Sequence, residues 1–201
     1  MSVSTEQRNA AIELSRSRPA EALKTAIGIE EAWFRVQALA SVARYAGADI
    51  ARNAFAAAAL SSSEGKDPYQ RAAVLAWPMR AALELGDQNR AEMLIAEARR
   101  ELPRIELHCS RAEAYAVVFQ AAFIAPRLFW GPLLDDLVRF CPPDAHWRSE
   151  RLYRTVAAIL RQWDGATART FIDRIPAGRA RTRCERDDSN GVKMPPRSFF
   201  W

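Results

Sequence analysis

Apolar residues in this chain recur at the spacing of an α-helix along most of its length. Val36, Leu39, Ala40 and Ala43 stand at i, i+3, i+4 and i+7. The same spacing returns in Ala51, Ala54, Phe55 and Ala58, in Ala91, Leu94, Ile95 and Ala98, and in Tyr115, Val118, Phe119 and Ala122. It returns again in Leu134, Leu137, Val138 and Cys141, and in Ala168, Phe171, Ile172 and Ile175; Leu152, Val156, Ile159, Leu160 and Trp163 give a broader stripe. A helix turns once in about 3.6 residues, so each set makes one apolar face. No stretch sustains the alternation of a strand. Alanine, the best helix former, is abundant, and only 8 residues are glycine. The expectation is an all-α protein.

Punctuation between the stripes sets the helix ends. Ser4 with Gln7, Asp67 with Gln70, and Ser110 with Glu113 read as capping boxes. Pro19, Pro68 and Pro132 suit a first helical position, and Gly28, Gly47, Gly86 and Gly165 suit the left-handed turn that ends a helix. Ten helices are expected, near 5–16, 19–27, 31–46, 50–61, 68–85, 88–101, 110–124, 132–141, 145–163 and 166–175. Trp77-Pro78 falls inside one of them and should kink it or move its start.

Many short helices with short loops suggest repetition, and two anchors share one period near forty residues. Gly47, Gly86 and Gly165 form one, with Ala125-Pro126 in the missing place. Arg35, Arg71, Arg111 and Arg151 form the other, each near the start of a unit's first helix. A cation there opposes the helix dipole, so an acid is expected beside each: Glu31, Asp67, Glu106 and Glu150. The segment GDQNRAEMLIAEARRELP (86–103) resembles the second helix of a tetratricopeptide repeat. Gly86 matches the turn glycine, Ala91 and Ala98 the two small packing positions, and Pro103 the terminal proline; Pro78 and Met79 depart from the first-helix pattern. The period is closer to HEAT-type repeats, and AIGIEEAWFRVQALASVARYAGAD (26–49) resembles the degenerate helical repeats of bacterial scaffold proteins. The resemblance covers residues 19–175 and implies a right-handed α-solenoid of antiparallel helix pairs, TPR-like or HEAT-like, in a helical repeat domain expected over 1–176. The remainder, 177–201, carries six Lys or Arg against three acids, lacks helical period, and reads as a flexible basic tail.

Such arrays bind proteins or peptides in a groove, because each unit packs only on its neighbours and leaves an extended surface. The expected function is therefore a non-catalytic scaffold or adaptor. Tryptophan and arginine dominate binding hot spots, so the expected partner-binding residues are Trp33, Arg35, Arg71, Trp77, Arg111, Trp130, Trp147 and Arg151. The alternative is a nucleic-acid-binding repeat protein. It rests on a net charge of +5 and on Arg148, Arg151, Tyr153, Arg154, Arg161, Trp163, Arg169 and Arg174, where cations alternate with aromatics. A third reading is an enzyme with an unrecognised site. His108, Cys109, Cys141 and His146 are candidate metal ligands, and each of Cys109, Cys141 and Cys184 a candidate nucleophile with His108 or His146 as base, but adjacent His108 and Cys109 would struggle to reach one ion and no catalytic signature accompanies the cysteines. No catalytic residue, metal or cofactor is assigned. Three cysteines at unrelated spacings fit a reducing compartment, and no apolar run approaches the roughly 20 residues of a membrane span, so the expected location is cytoplasmic, off the membrane. If no polar helix covers Phe171 and Ile172, self-association through that end is expected. Phe199, Phe200 and Trp201 could enter a partner or fold back.

Overall fold

The computed structural model describes residues 2–200. Among them are twelve α-helices and no strand: α1 (Val3–Leu14), α2 (Pro19–Ile27), α3 (Ala32–Tyr45), α4 (Ala48–Ser63), α5 (Pro68–Val74), α6 (Ala76–Glu84), α7 (Gln88–Glu101), α8 (His108–Ala122), α9 (Arg127–Phe140), α10 (Trp147–Trp163), α11 (Gly165–Arg174) and α12 (Arg179–Ser189). Short 3-10 turns follow α7 at Leu102–Arg104 and precede α10 at Pro143–Ala145.

Contacts follow chain order. In pairs, α1 packs on α2, α3 on α4, α6 on α7, α8 on α9 and α10 on α11. Between pairs, α1 meets α3, α3 meets α6, α5 and α6 meet α8, α8 meets α10, and α10 meets α12. The first helices of successive pairs thus form one row, and its middle members are buried almost all round. In α8 every residue from Ala114 to Ala122 is buried. Small side chains permit this. Ala38, Ala40, Ala43, Ala72, Ala76, Ala81, Ala114, Ala116 and Ala121 are all essentially inaccessible, so neighbouring backbones approach closely.

Of the two outcomes expected at Pro78 the moved start is found: the expected helix 68–85 divides at Leu75, which itself keeps right-handed helical backbone. α5 ends at Val74 and α6 begins at Ala76. Pro78 has no N–H, and its ring crowds the carbonyl four residues back, that of Val74. Asp67 caps α5 as expected, accepting from Gln70 N at 2.8 Å. The other two capping boxes are corrected: Ser2 caps α1, and α8 begins at His108 without a side-chain cap. Of the four turn glycines only Gly86 is left-handed, at φ 75°. There Asp87 N donates to Ala82 O and Gly86 N to Leu83 O, which satisfies the carbonyls at the end of α6. Gly28 ends α2 with right-handed backbone, Gly47 caps the start of α4, and Gly165 opens α11.

Pro132 lies inside α9 rather than at its start. The bond it cannot make would fall on the carbonyl of exposed Leu128, where water can replace it. The helix therefore begins at Arg127, and Trp130 joins a buried stripe with Phe129, Leu133, Leu134 and Leu137.

The flexible tail is also corrected. Residues 179–189 form α12, whose polar composition hid its few packing residues, Ala180 and Cys184. Ion pairs dock it on α10. Buried Glu150 meets Arg179 at 2.9 Å and also pairs with Arg183; Arg154 meets Asp187 at 2.5 Å, and Arg161 meets Asp188 at 3.5 Å. Arg169, from α11, reaches Asp188 at 2.7 Å. Phe171 and Ile172 are buried within the chain, so the apolar end on which self-association was expected is covered.

Candidate functional site

The repeated arginines take one structural role three times. Arg35, Arg71 and Arg111 each donate to the carbonyl six residues upstream: Ile29 O at 2.8 Å, Gly65 O at 3.1 Å and Ile105 O at 2.6 Å. Each also reaches the far end of the second helix in its own pair, 29 or 30 residues on: Glu64 for Arg35, Glu101 at 2.9 Å for Arg71, and Phe140 O at 2.9 Å for Arg111. That end carries unpaired carbonyls and the negative pole of the helix, so a guanidinium is stabilised there although it stands on the positive end of its own helix. The four acids expected as partners are corrected accordingly. Asp67 is a cap, Glu106 offers only its carbonyl, Glu31 makes no capping bond, and Glu150 belongs to the contact with α12. Arg151 is exposed and stands outside the pattern.

The tryptophans divide. Trp130 is 1% exposed, packs edge-on to Phe119 and Trp163, and donates to Ala125 O at 3.0 Å; it is a core residue rather than a binding one. Trp163 is exposed at one edge instead of lying wholly on the apolar stripe. Trp147 is exposed and lines an open cleft of about 470 Å³ with Glu113, Arg148, Arg151, Leu152 and Thr155. Trp33 and Trp77 come together, centroids 5.7 Å apart, and Tyr69 stacks on Trp33 at 6.1 Å.

Over this aromatic group runs residues 192–200. Gly191, at φ 65°, ends α12 and turns the chain back, with Val192 N donating to Asp187 O. The following residues cross the row of first helices in reverse order. On α10, Gln162 Nε2 donates to Met194 O at 2.6 Å and Thr155 Oγ1 to Met194 Sδ at 3.4 Å. On α8, Gln120 Oε1 accepts from Arg197 N at 2.9 Å, its amide oriented by a bond to Ala116 O. On α6, Trp77 Nε1 donates to Phe199 O at 3.1 Å, and the Phe199 ring packs edge-on to Trp77 at 5.5 Å. Arg197 and Arg80 lie over the rings of Trp77 and Phe199. On α3, Arg44 covers Phe200 at 4.8 Å while pairing with Glu84, which also accepts from Arg80. Burial raises the Tyr69 phenol above its ordinary value; nearby Glu113 adds to the effect and Arg197 opposes it. Trp201 lies outside the described residues.

The structure thus packs Trp33 against Trp77, places Trp147 and Arg151 in the separate open cleft that Thr155 also lines, and uses Arg35, Arg71 and Arg111 within the scaffold. The sequence reading missed Arg44, Tyr69, Arg80, Gln120 and Gln162. These polar residues carry no motif and gain meaning only from the neighbouring helix.

The basic-aromatic stripe proposed for nucleic acid is largely occupied. Tyr153 is buried and donates to Leu137 O and Cys141 O. Arg154, Arg161 and Arg169 pair with Asp187 or Asp188, and Arg174 with Asp135 at 2.6 Å. Burial pushes the Cys141 and Cys184 thiols up to about 12, far from the thiolate a nucleophile needs. Among the described residues no three His, Cys, Asp or Glu side chains are grouped to hold a metal ion, and no helix is long and apolar enough to cross a membrane.

The geometry defines an all-α protein with an extended segment laid across its row of first helices. No family model, curated protein or solved structure matches the chain.

Proposed function

We propose that this chain is a non-catalytic scaffold, an α-solenoid of stacked helix pairs that binds an extended segment of another protein along its row of first helices. One observation carries the reading. The row already holds an extended segment, residues 194–200, and grips its main chain through Gln162, Gln120 and Trp77. Main-chain recognition by side chains from successive helices is a means of reading a peptide of varied sequence. The order of helix contacts supports the solenoid, and the arginine joining each of three pairs to itself supports a repeating unit near forty residues.

The test is capture of a partner from an extract of the source cells by the whole chain and by two variants. Trp147→Ala with Arg151→Glu alters exposed side chains on the row. Met93→Ala alters an exposed residue on α7, a second helix. The expected result is a partner retained by the wild type and the α7 variant but depleted roughly tenfold by the row variant, a loss near 1.4 kcal/mol. Equal retention by all three chains, or loss only on changing α7, would remove the row as the binding face.

A further inference from the structure

The surface beneath residues 194–200 has a chemistry that the scaffold alone does not require. Trp77 is 2% exposed and Phe199 4%. The hydrogen bond from Trp77 Nε1 goes to a residue 122 positions away in the chain. Remove the segment and this face would present Trp77 with an unpaired indole N–H, the Gln120 amide, and two guanidiniums, Arg44 and Arg80, both tied to Glu84. Aromatic and arginine side chains around a buried slot are the composition of a binding hot spot.

The contacts also define what fits. Three of them take main-chain atoms and set an extended conformation without reading sequence. The rest read side chains. A cation lies over the Trp77 ring, an aromatic ring two residues later fills the space between Trp77 and Arg80, and a second aromatic lies under Arg44. Cation–π contacts of this kind contribute about 0.5–2 kcal/mol each, depending on desolvation. Thr155, which touches Met194, also lines an open cleft with Glu113, Trp147 and Arg151, so side chains of a longer ligand have room beside the segment.

We propose that this surface is a recognition site for an extended peptide of a partner protein bearing a cation two residues before a pair of aromatics, and that Arg197-Ser198-Phe199-Phe200 occupies it in cis as a competing ligand. The inference rests on the scaffold reading above and adds the ligand class and the competition. The cis segment lowers the apparent affinity for the partner by the fraction of time it is seated, and release of the segment restores it. Pro195 to Ser198 are exposed and of the segment only Phe199 is buried, so its release withdraws one ring from the core and unpacks no helix.

The test uses the full chain and a labelled peptide, VKMPPRSFF, with its end amidated. Fluorescence anisotropy is measured for the wild type and for Phe199→Ala with Phe200→Ala, which weakens the cis segment. The double variant is expected to bind at least roughly tenfold more tightly than the wild type. A peptide with alanine at both aromatic positions should not bind it. A second readout needs no variant. Excess free peptide should speed amide hydrogen exchange over residues 194–200 of the wild type severalfold, whereas the alanine peptide should not. Equal affinity for both chains, binding indifferent to the aromatic pair, or exchange over 194–200 unchanged at saturating peptide would overturn the proposal. So would formation of a dimer in which the segment enters a second copy of the chain. If these fail while partner capture still depends on Trp147 and Arg151, the competition is wrong and the scaffold reading stands.

Discussion

A single residue type shows how sequence position and structural role separate. Arg35, Arg71, Arg111 and Arg151 keep one period in the sequence, yet only the first three join the ends of a helix pair. Arg111 makes three bonds to carbonyls, at 2.6, 2.9 and 3.3 Å. Arg111→Ala should therefore destabilise the fold by about 2 kcal/mol, because it leaves part-buried carbonyls without a donor. Arg151→Ala should lie within about 0.5 kcal/mol of the wild type. Urea unfolding of the two variants checks the contrast. The thiols give a second prediction. Burial holds Cys141 and Cys184 near 12, above the ordinary value of 9.0. The folded chain keeps these protons between those values while the unfolded chain loses them. Their contribution to stability is thus complete below about pH 9 and is lost as pH rises towards 12, by at most about 1.4 kcal/mol per pH unit for each thiol. Equilibrium unfolding from pH 8 to 11, with Cys→Ala variants as controls, measures the loss; a flat profile would contradict it.

Elements were legible where an apolar stripe and its breakers agreed. The expected helix 88–101 coincides with α7, and the expected 19–27 with α2. Two failures have definite causes. α12 was missed because ion pairs rather than an apolar face attach it: Glu150, Asp187 and Asp188 meet arginines of three different helices. α9 was started late because Pro132 usually marks a first turn, whereas here the helix continues through it. Glu150→Ala should loosen α12 by about 1 kcal/mol, a modest loss because Arg179 and Arg183 are about half exposed and can be solvated once their partner is gone. Hydrogen exchange over 179–189 should accelerate while α3 and α8 keep their protection. Gly191 is needed at the end of α12 for its positive φ, with open space around the missing side chain. Gly191→Ala should therefore destabilise by about 1 kcal/mol through backbone strain alone, and it should loosen residues 192–200 in the same exchange experiment.

At the scale of the molecule, charge pairing decides between readings of the same basic composition. Most cations on α10 and α11 that would meet phosphate already meet carboxylates. Titration with nonspecific duplex should accordingly show weak binding, and a steep fall of affinity with salt would revive the nucleic-acid alternative. The candidate surface was only half readable in advance. Trp33 and Trp77 could be picked out as aromatic anchors, but nothing in the sequence tells Gln120 or Arg80 to meet a segment about 80 to 120 residues further on. That return crossing also bears on kinetics. Neighbouring helices make short-range contacts, which form quickly, whereas the bond from Trp77 to Phe199 must close a loop of 122 residues. Refolding followed by indole fluorescence should then lag behind the recovery of helical circular dichroism. A nascent chain would display its row of first helices bare until residues 192–200 had been made.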